Sequence, residues 1–179
     1  HSAFFKACDY FEVTPVVVPL TQNFKADADA IQKAITPNTI LIAASAPSYV
    51  FGVVDPIREI GQIALRHNLL FHIDACIGGV VLGFNRLAGL PDVPEFDFSV
   101  PGVTSISMDL HKYGYTAKGC SALMHKNKSY RKEDFNYSFY GKDTIFNHYL
   151  EIQGNVDTKK NIVITPEMSG ILKQVFVKE

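Results

Sequence analysis

Two apolar runs, residues 39–46 (TILIAASA) and 69–75 (LLFHIDA), lie one helix-length apart and constrain the fold more than any other feature of the chain. The first is continuous and apolar, as expected of a strand covered on both faces. Between them, Asp55 followed by Pro56 reads as a helix start, an oxygen-bearing cap and then proline at the first helical position. Ile57, Ile60, Ala64 and Leu65 continue an apolar stripe, and His67-Asn68 marks its end. The pattern extends in both directions. Residues 16–20 are a short β-branched run, and residues 27–35 place Ile31, Ala34 and Ile35 on one helical face before Thr36-Pro37-Asn38 stops it. Beyond a Pro/Asp-rich loop at 91–97, residues 104–108 and 121–125 are two further short strand candidates. Strands alternating with helices predict an α/β fold with a mostly parallel central sheet flanked by helices. Ligands of such sheets collect at the carboxyl ends of the strands.

Composition narrows the function classes. A chain of 179 residues can bury one substantial core, and 47% hydrophobic with 20% charged residues suits a folded globular protein. The net charge of −1, with no basic block, gives nucleic-acid binding no electrostatic support. The longest apolar stretch, 69–84, carries His72 and Asp74 and three glycines, so it predicts a buried strand and a turn rather than a membrane span. No basic segment followed by an apolar one opens the chain, so no secretion signal is expected. The start at His1 without methionine leaves a processing site, a cloning boundary or the edge of a fragment open. Cys8, Cys76 and Cys120 are odd in number and form no C-x-x-C pair, which predicts no disulfide framework, no metal site and a reducing compartment. From about residue 133 the alternation stops. Residues 133–179 are a divergent, aromatic-rich tail in which Thr165-Pro166-Glu167 could cap a short helix.

The residues that could carry chemistry fall at strand ends. Lys112 directly follows a predicted strand in SISMDLHKYG (105–114), flanked by His111 and Tyr113. A solvated surface lysine is one reading. The other is a nucleophilic amine that burial keeps neutral. Asp74 ends the strand in HIDACIGG, where a carboxylate is costly unless paired. It either caps the following turn or serves as the anion for a protonated pyridine nitrogen, which keeps such a ring an electron sink. His72 shares its strand face with Asp74, either as a satisfied core histidine or as a residue holding the aspartate in place. The pair lacks a third ligand at metal spacing. Lys118, in TAKGC, is the rival nucleophile, without a neighbour like His111.

The segments FHIDACIGG (71–79) and GVTSISMDLHKYGYTAKG (102–119), in this order and separation, resemble the sphingosine-1-phosphate lyases within the group II pyridoxal-phosphate decarboxylases. HSAFFKACDYF (1–11), VPLTQNFKADADAIQKAITPNT (18–39) and GVVDPIREIGQIA (52–64) are similar too, so the resemblance covers roughly residues 1–132. It implies a fold-type I large domain, like that of aspartate aminotransferase, incomplete over 1–132, with pyridoxal 5'-phosphate as cofactor. Lys112 would form the Schiff base and Asp74 would pair with the pyridine nitrogen. His1 would stack on the ring, and His111 would lie near the phosphate. The implied reaction is retro-aldol cleavage of a phosphorylated sphingoid base to a fatty aldehyde and phosphoethanolamine, in a homodimer. A cytoplasmic or cytosol-facing location is expected, at the endoplasmic reticulum membrane if an anchor lies upstream.

The chain departs from the family in four places. Met108 and Leu110 stand where the family has alanine and threonine before the lysine. Residues 46–52 (APSYVFG) stand for its Thr-Pro-Gln-x-Pro-His-Gly. The family's glycine-rich phosphate segment, which lies upstream of the position of His1, and its small C-terminal domain are not matched. An amino-acid decarboxylase of the same superfamily, or a truncated non-catalytic chain acting through dimer contacts, therefore stands beside the lyase reading.

Overall fold

The structure, a computed structural model, describes residues 1–130, all within one compact unit, His1–Asn136. The helix expected at Thr165-Pro166-Glu167 and the aromatic segment lie outside the described residues. In chain order the elements are α1 (Ser2–Tyr10), α2 (Ala28–Ala34), β1 (Leu41–Ser45), α3 (Ile57–Arg66) and β2 (Leu70–Asp74). They are followed by α4 (Gly78–Leu87), β3 (Ser105–Asp109), α5 (Leu110–Tyr113) and β4 (Ser121–His125).

The strands form one sheet in the order β1-β2-β3-β4. β1, β2 and β3 are parallel, whereas β4 returns antiparallel to β3. The register sets Ser45, Asp74 and Ser107 side by side, so the carboxyl ends of three strands line up. The predicted α/β fold with a mostly parallel sheet is what the chain forms.

The core lies on one face of this sheet. Ile42 and Ala44 of β1, Phe71 and Ile73 of β2 and Ile106 of β3 point the same way, as period-two alternation requires. Ile57, Ile60, Ile63 and Ala64 of α3 pack with them, and Phe96, Val100 and Val103 complete the cluster. The opposite face is far less covered: Leu41, Leu70 and Leu123 are 43%, 45% and 56% exposed. The expectation that residues 39–46 are covered on both faces is therefore corrected. Among the described residues β1 is an edge strand with alternating burial.

Three further local expectations change. Residues 16–20 form no strand, and Leu20 makes only a single bridge to Ala26. Pro15 precedes the run and Pro19 lies within it, and each removes a backbone donor from any ladder. The α3 start is also different. Pro56 precedes the helix without a side-chain cap, while Asp55 is drawn away to accept the Ala26 N–H on Oδ1 and the Ser45 N–H on Oδ2, each at 2.8 Å. Finally, the turn expected after β2 opens into the ten-residue helix α4. Its first glycines hid it in the sequence, and packing explains them. A Cβ at Gly78 would run into the Ala46 carbonyl, and one at Gly79 into the Met108 side chain. Close approach to the sheet outweighs the low helix propensity of glycine here.

Asp55 thus ties the segment before α2 to the end of β1 from the loop before α3. Both hydrogen bonds go to a charged acceptor, so Asp55→Ala should cost roughly 2–3 kcal/mol of unfolding free energy. Urea denaturation followed by circular dichroism measures it; a loss below about 0.5 kcal/mol would mean that water replaces the carboxylate.

Candidate active site

β2 delivers Asp74 to the carboxyl edge of the sheet, where it is 8% exposed. Its Oδ1 accepts the N–H of Cys76 at 3.1 Å, so it does cap the turn that follows, as the simpler sequence reading held. Among the described residues Asp74 has no ion-pair partner. A buried carboxylate with one backbone donor and no cation is an incomplete electrostatic arrangement.

His72 does not complete it. The ring lies on the same strand face, but Nδ1 is 2.8 Å from Ser105 Oγ and Nε2 is 3.1 Å from Ser107 Oγ, both on β3. Instead of holding Asp74, His72 clamps β2 to β3. Burial pushes its pKa below 6.5, the Asp74 charge pulls it back up, and His125 adds to the lowering. A neutral imidazole suits two hydroxyl partners, because each serine can donate or accept as the tautomer requires. The Phe4 ring of α1 meets His72 edge-on at 5.9 Å between centroids.

Lys112 arrives by a different route. β3 ends at Asp109, and the single turn α5 swings His111 and Lys112 back over the strand end. Lys112 Nζ is 2.9 Å from Asp109 Oδ2, with its side chain 33% exposed. Ser121 Oγ donates to the other carboxylate oxygen at 2.6 Å. Partial burial works against the Lys112 charge, but hydrogen bonds and charge from Asp109 and Cys76 outweigh it and hold its pKa above the ordinary value. The neutral amine expected from burial is thus corrected: in this state Lys112 is an ammonium. Burial also opposes the Asp109 charge, yet the Ser121 hydroxyl and the Lys112 ammonium bring its pKa below the usual carboxylate range.

Cys76 joins the two halves. Its thiol is within hydrogen-bonding reach of both the Lys112 amine and the Asp74 carboxylate, and burial is the main cause that raises its pKa. A protonated thiol therefore separates the carboxylate from the ammonium. The sequence treated Cys76 only as a residue without metal spacing. Its place two residues beyond a strand-end aspartate was the available signal.

The remaining candidates lie around this cluster. His111 donates from Nδ1 to the Cys120 carbonyl at 2.9 Å, and its Nε2 is 4.0 Å from Asp109 Oδ2. His1 caps α1, accepting the Ala3 N–H on Nδ1 at 3.1 Å, and its exposed ring meets Tyr49 edge-on at 5.6 Å. Lys118 is exposed before β4 and makes no ion pair among the described residues. No group of three or more His, Cys, Asp or Glu suited to a metal ion occurs among the described residues, and the three cysteines are free. No helix of the described residues is long and apolar enough to cross a membrane.

The pyridoxal-dependent decarboxylase conserved domain matches residues 1–154. The chain belongs to that family. It is 48% identical over 135 residues to the sphingosine-1-phosphate lyase of Arabidopsis thaliana, a match covering 75% of this chain and 25% of the relative. Sphingosine-1-phosphate lyase 1 of Rattus norvegicus is 46% identical over 135 residues, with 75% and 24% covered. The chain thus spans about a quarter of the length of these relatives. Among solved structures, the sphingosine-1-phosphate lyase of Burkholderia pseudomallei superposes with a TM-score of 0.72 at 41% identity, over 74% of this chain and 30% of that one. The 4-hydroxyphenylacetaldehyde synthase of Rhodiola rosea shares the fold at 22% identity and a TM-score of 0.64, over 76% of this chain and 30% of that one. The fold is that of the type I pyridoxal enzymes.

The residues present fit the group the family is named for. Asp74, a buried carboxylate without an ion-pair partner among the described residues, and Lys112, across one thiol from it, offer an anion and an amine of the kind such a group would need.

The depressed pKa of His72 makes a testable demand on stability. Because the folded value lies below 6.5, protons bind the unfolded chain more readily. The His72 contribution is complete above about pH 6.5 and is lost as pH falls through the folded value. Denaturation midpoints should drop below pH 6.5 in the wild type and stay flatter in His72→Gln. Parallel profiles for the two proteins would show that His72 is not buried as described.

Proposed function

We propose that this chain carries the reactive core of a pyridoxal-phosphate-dependent carbon–carbon lyase that cleaves phosphorylated sphingoid bases to a fatty aldehyde and phosphoethanolamine. The observation that carries the reading is the convergence of unpaired Asp74 and Lys112 on Cys76 at the carboxyl edge of the sheet. Identity of 41–48% to relatives named for that lyase supports the substrate class.

When bound, the pyridoxal group supplies an electron sink for the carbanion left by bond cleavage. This chain's residues do the rest. Lys112 provides the amine for covalent attachment, and it must first shed a proton. Asp74 would supply the anion for a protonated ring nitrogen, and low solvent access would strengthen that interaction. His1 would offer a ring face at the start of α1, and His111, the residue before Lys112, would lie near the phosphate. His72 positions the Asp74 strand through Ser105 and Ser107 on β3.

Residues 1–132 form the cofactor-binding core in this reading, and 133–179 a separate segment. A homodimer is part of the same reading, and three free cysteines support a reducing, cytosol-facing compartment.

The chain mixed with pyridoxal phosphate should develop an absorbance band near the edge of the visible range, absent in Lys112→Ala. Persistence of the band in that variant would remove Lys112 from the role. Asp74→Ala should keep the covalent link yet lower aldehyde release from a phosphorylated sphingoid base on the order of 10²–10³-fold. Carbon dioxide released from an amino acid, without aldehyde from the sphingoid base, would assign the chain to the decarboxylases instead.

A further inference from the structure

The Lys112 amine is held by groups from several elements. Asp109, the last residue of β3, receives it at 2.9 Å, and the same carboxylate is fixed from β4 by the Ser121 hydroxyl at 2.6 Å. His111 of α5 brings its Nε2 to 4.0 Å from the shared Oδ2, and the Cys76 thiol lies on the side toward Asp74. Asp109 and Lys112 are three residues apart and bracket the turn of α5, so their ion pair also closes that turn. A surface pair between two mobile side chains contributes little. Here one partner is immobilised, because both carboxylate oxygens are engaged, one by Ser121 and one by Lys112.

We propose that Asp109 is the resting anion of Lys112, the carboxylate on which the ε-ammonium docks whenever the amine is not covalently engaged. The proposal rests on the assignment of Lys112 as the attachment lysine. It adds a positioning residue that holds the amine protonated and within reach of Cys76. To become a nucleophile the ammonium must release one proton to solvent and leave Asp109. Asp109 thereby limits unwanted reaction of the amine with other aldehydes, and it gives the freed lysine a fixed place to return to.

The test uses the cofactor-free 179-residue chain, so it reads out independently of whether pyridoxal phosphate binds. Amines are acylated briefly at about pH 8.5, and modification of Lys112 is quantified by peptide mass spectrometry. Asp109→Asn should raise Lys112 labelling roughly three- to tenfold, because the ion pair that favours the protonated amine is removed. Labelling of Lys6 and Lys33, on α1 and α2, should not change. Equal Lys112 labelling in wild type and variant would overturn the proposal, even if the absorbance band confirms the attachment role. Loss of the band with increased labelling would leave Asp109 in place and remove the cofactor reading instead. If Asp109→Asn fails to fold, the wild-type chain decides. Its Lys112 labelling midpoint must lie at higher pH than in the same chain unfolded in urea, and an equal or lower midpoint overturns the proposal.

Discussion

The pairing of β2 with β3, pinned by His72 between Ser105 and Ser107, is the constraint on which the site depends. Parallel neighbours bring their carboxyl ends to the same edge, and this register sets Asp74 beside Ser107, two residues before Asp109. A slip of one residue would turn Asp74 into the apolar core and Ile73 out of it. His72 opposes that slip because both ring nitrogens find partners only in the observed register. The clamp also works without charge. A neutral imidazole satisfied by two hydroxyls neither compensates Asp74 nor competes with a cation that approaches it.

Charge is distributed unevenly across the edge, and the unevenness has a use. Two carboxylates, Asp74 and Asp109, share a region with one ammonium, and the ammonium pairs with Asp109. The Cys76 thiol, kept protonated chiefly by burial, stands between them as a polar but uncharged spacer. Were Cys76 a thiolate, it would repel Asp74 and tie down the lysine. As a thiol it leaves Asp74, buried and without an ion-pair partner among the described residues, in a place where an uncompensated charge is costly. Among the described residues, one half of the edge is thus internally balanced, while the other carries an anion without an ion-pair partner.

Those parts of the chain that obey local rules were legible in the sequence. β2 and β4 lie where residues 69–75 and 121–125 suggested, and α2 starts at Asp27 as its cap. The failures came where tertiary contacts override local preference. Asp55 looked like a helix cap and instead serves two other segments, because two unpaired backbone donors outcompete one helix terminus. α4 was hidden by glycines whose purpose is close approach to Ala46 and Met108. In the site, Asp74 and Lys112 were visible as residues at strand ends. The protonation state of Lys112 was not, since it depends on Asp109 being fixed from β4, and that strand is a neighbour only in three dimensions.

The departures from the family pattern follow the same division between packing and charge. Met108, in place of an alanine, lays its side chain against Gly79, so the added volume fills the gap that the missing Cβ of α4 leaves open. In the segment 46–52, Phe51 stands where the family has histidine, and it stacks on Phe24 at 4.7 Å. Tyr49 in the same loop meets the His1 ring. Polar groups that the family places in this loop are replaced here by aromatic contacts, which hold the loop by area and ring geometry rather than by hydrogen bonds. Asp74, Cys76, Asp109, His111 and Lys112, by contrast, interact through charge and protons, and an apolar substitute at any of them would leave a partner unsatisfied. Around the edge, area and ring geometry thus hold the loop, while at the edge itself charges and protons hold one another.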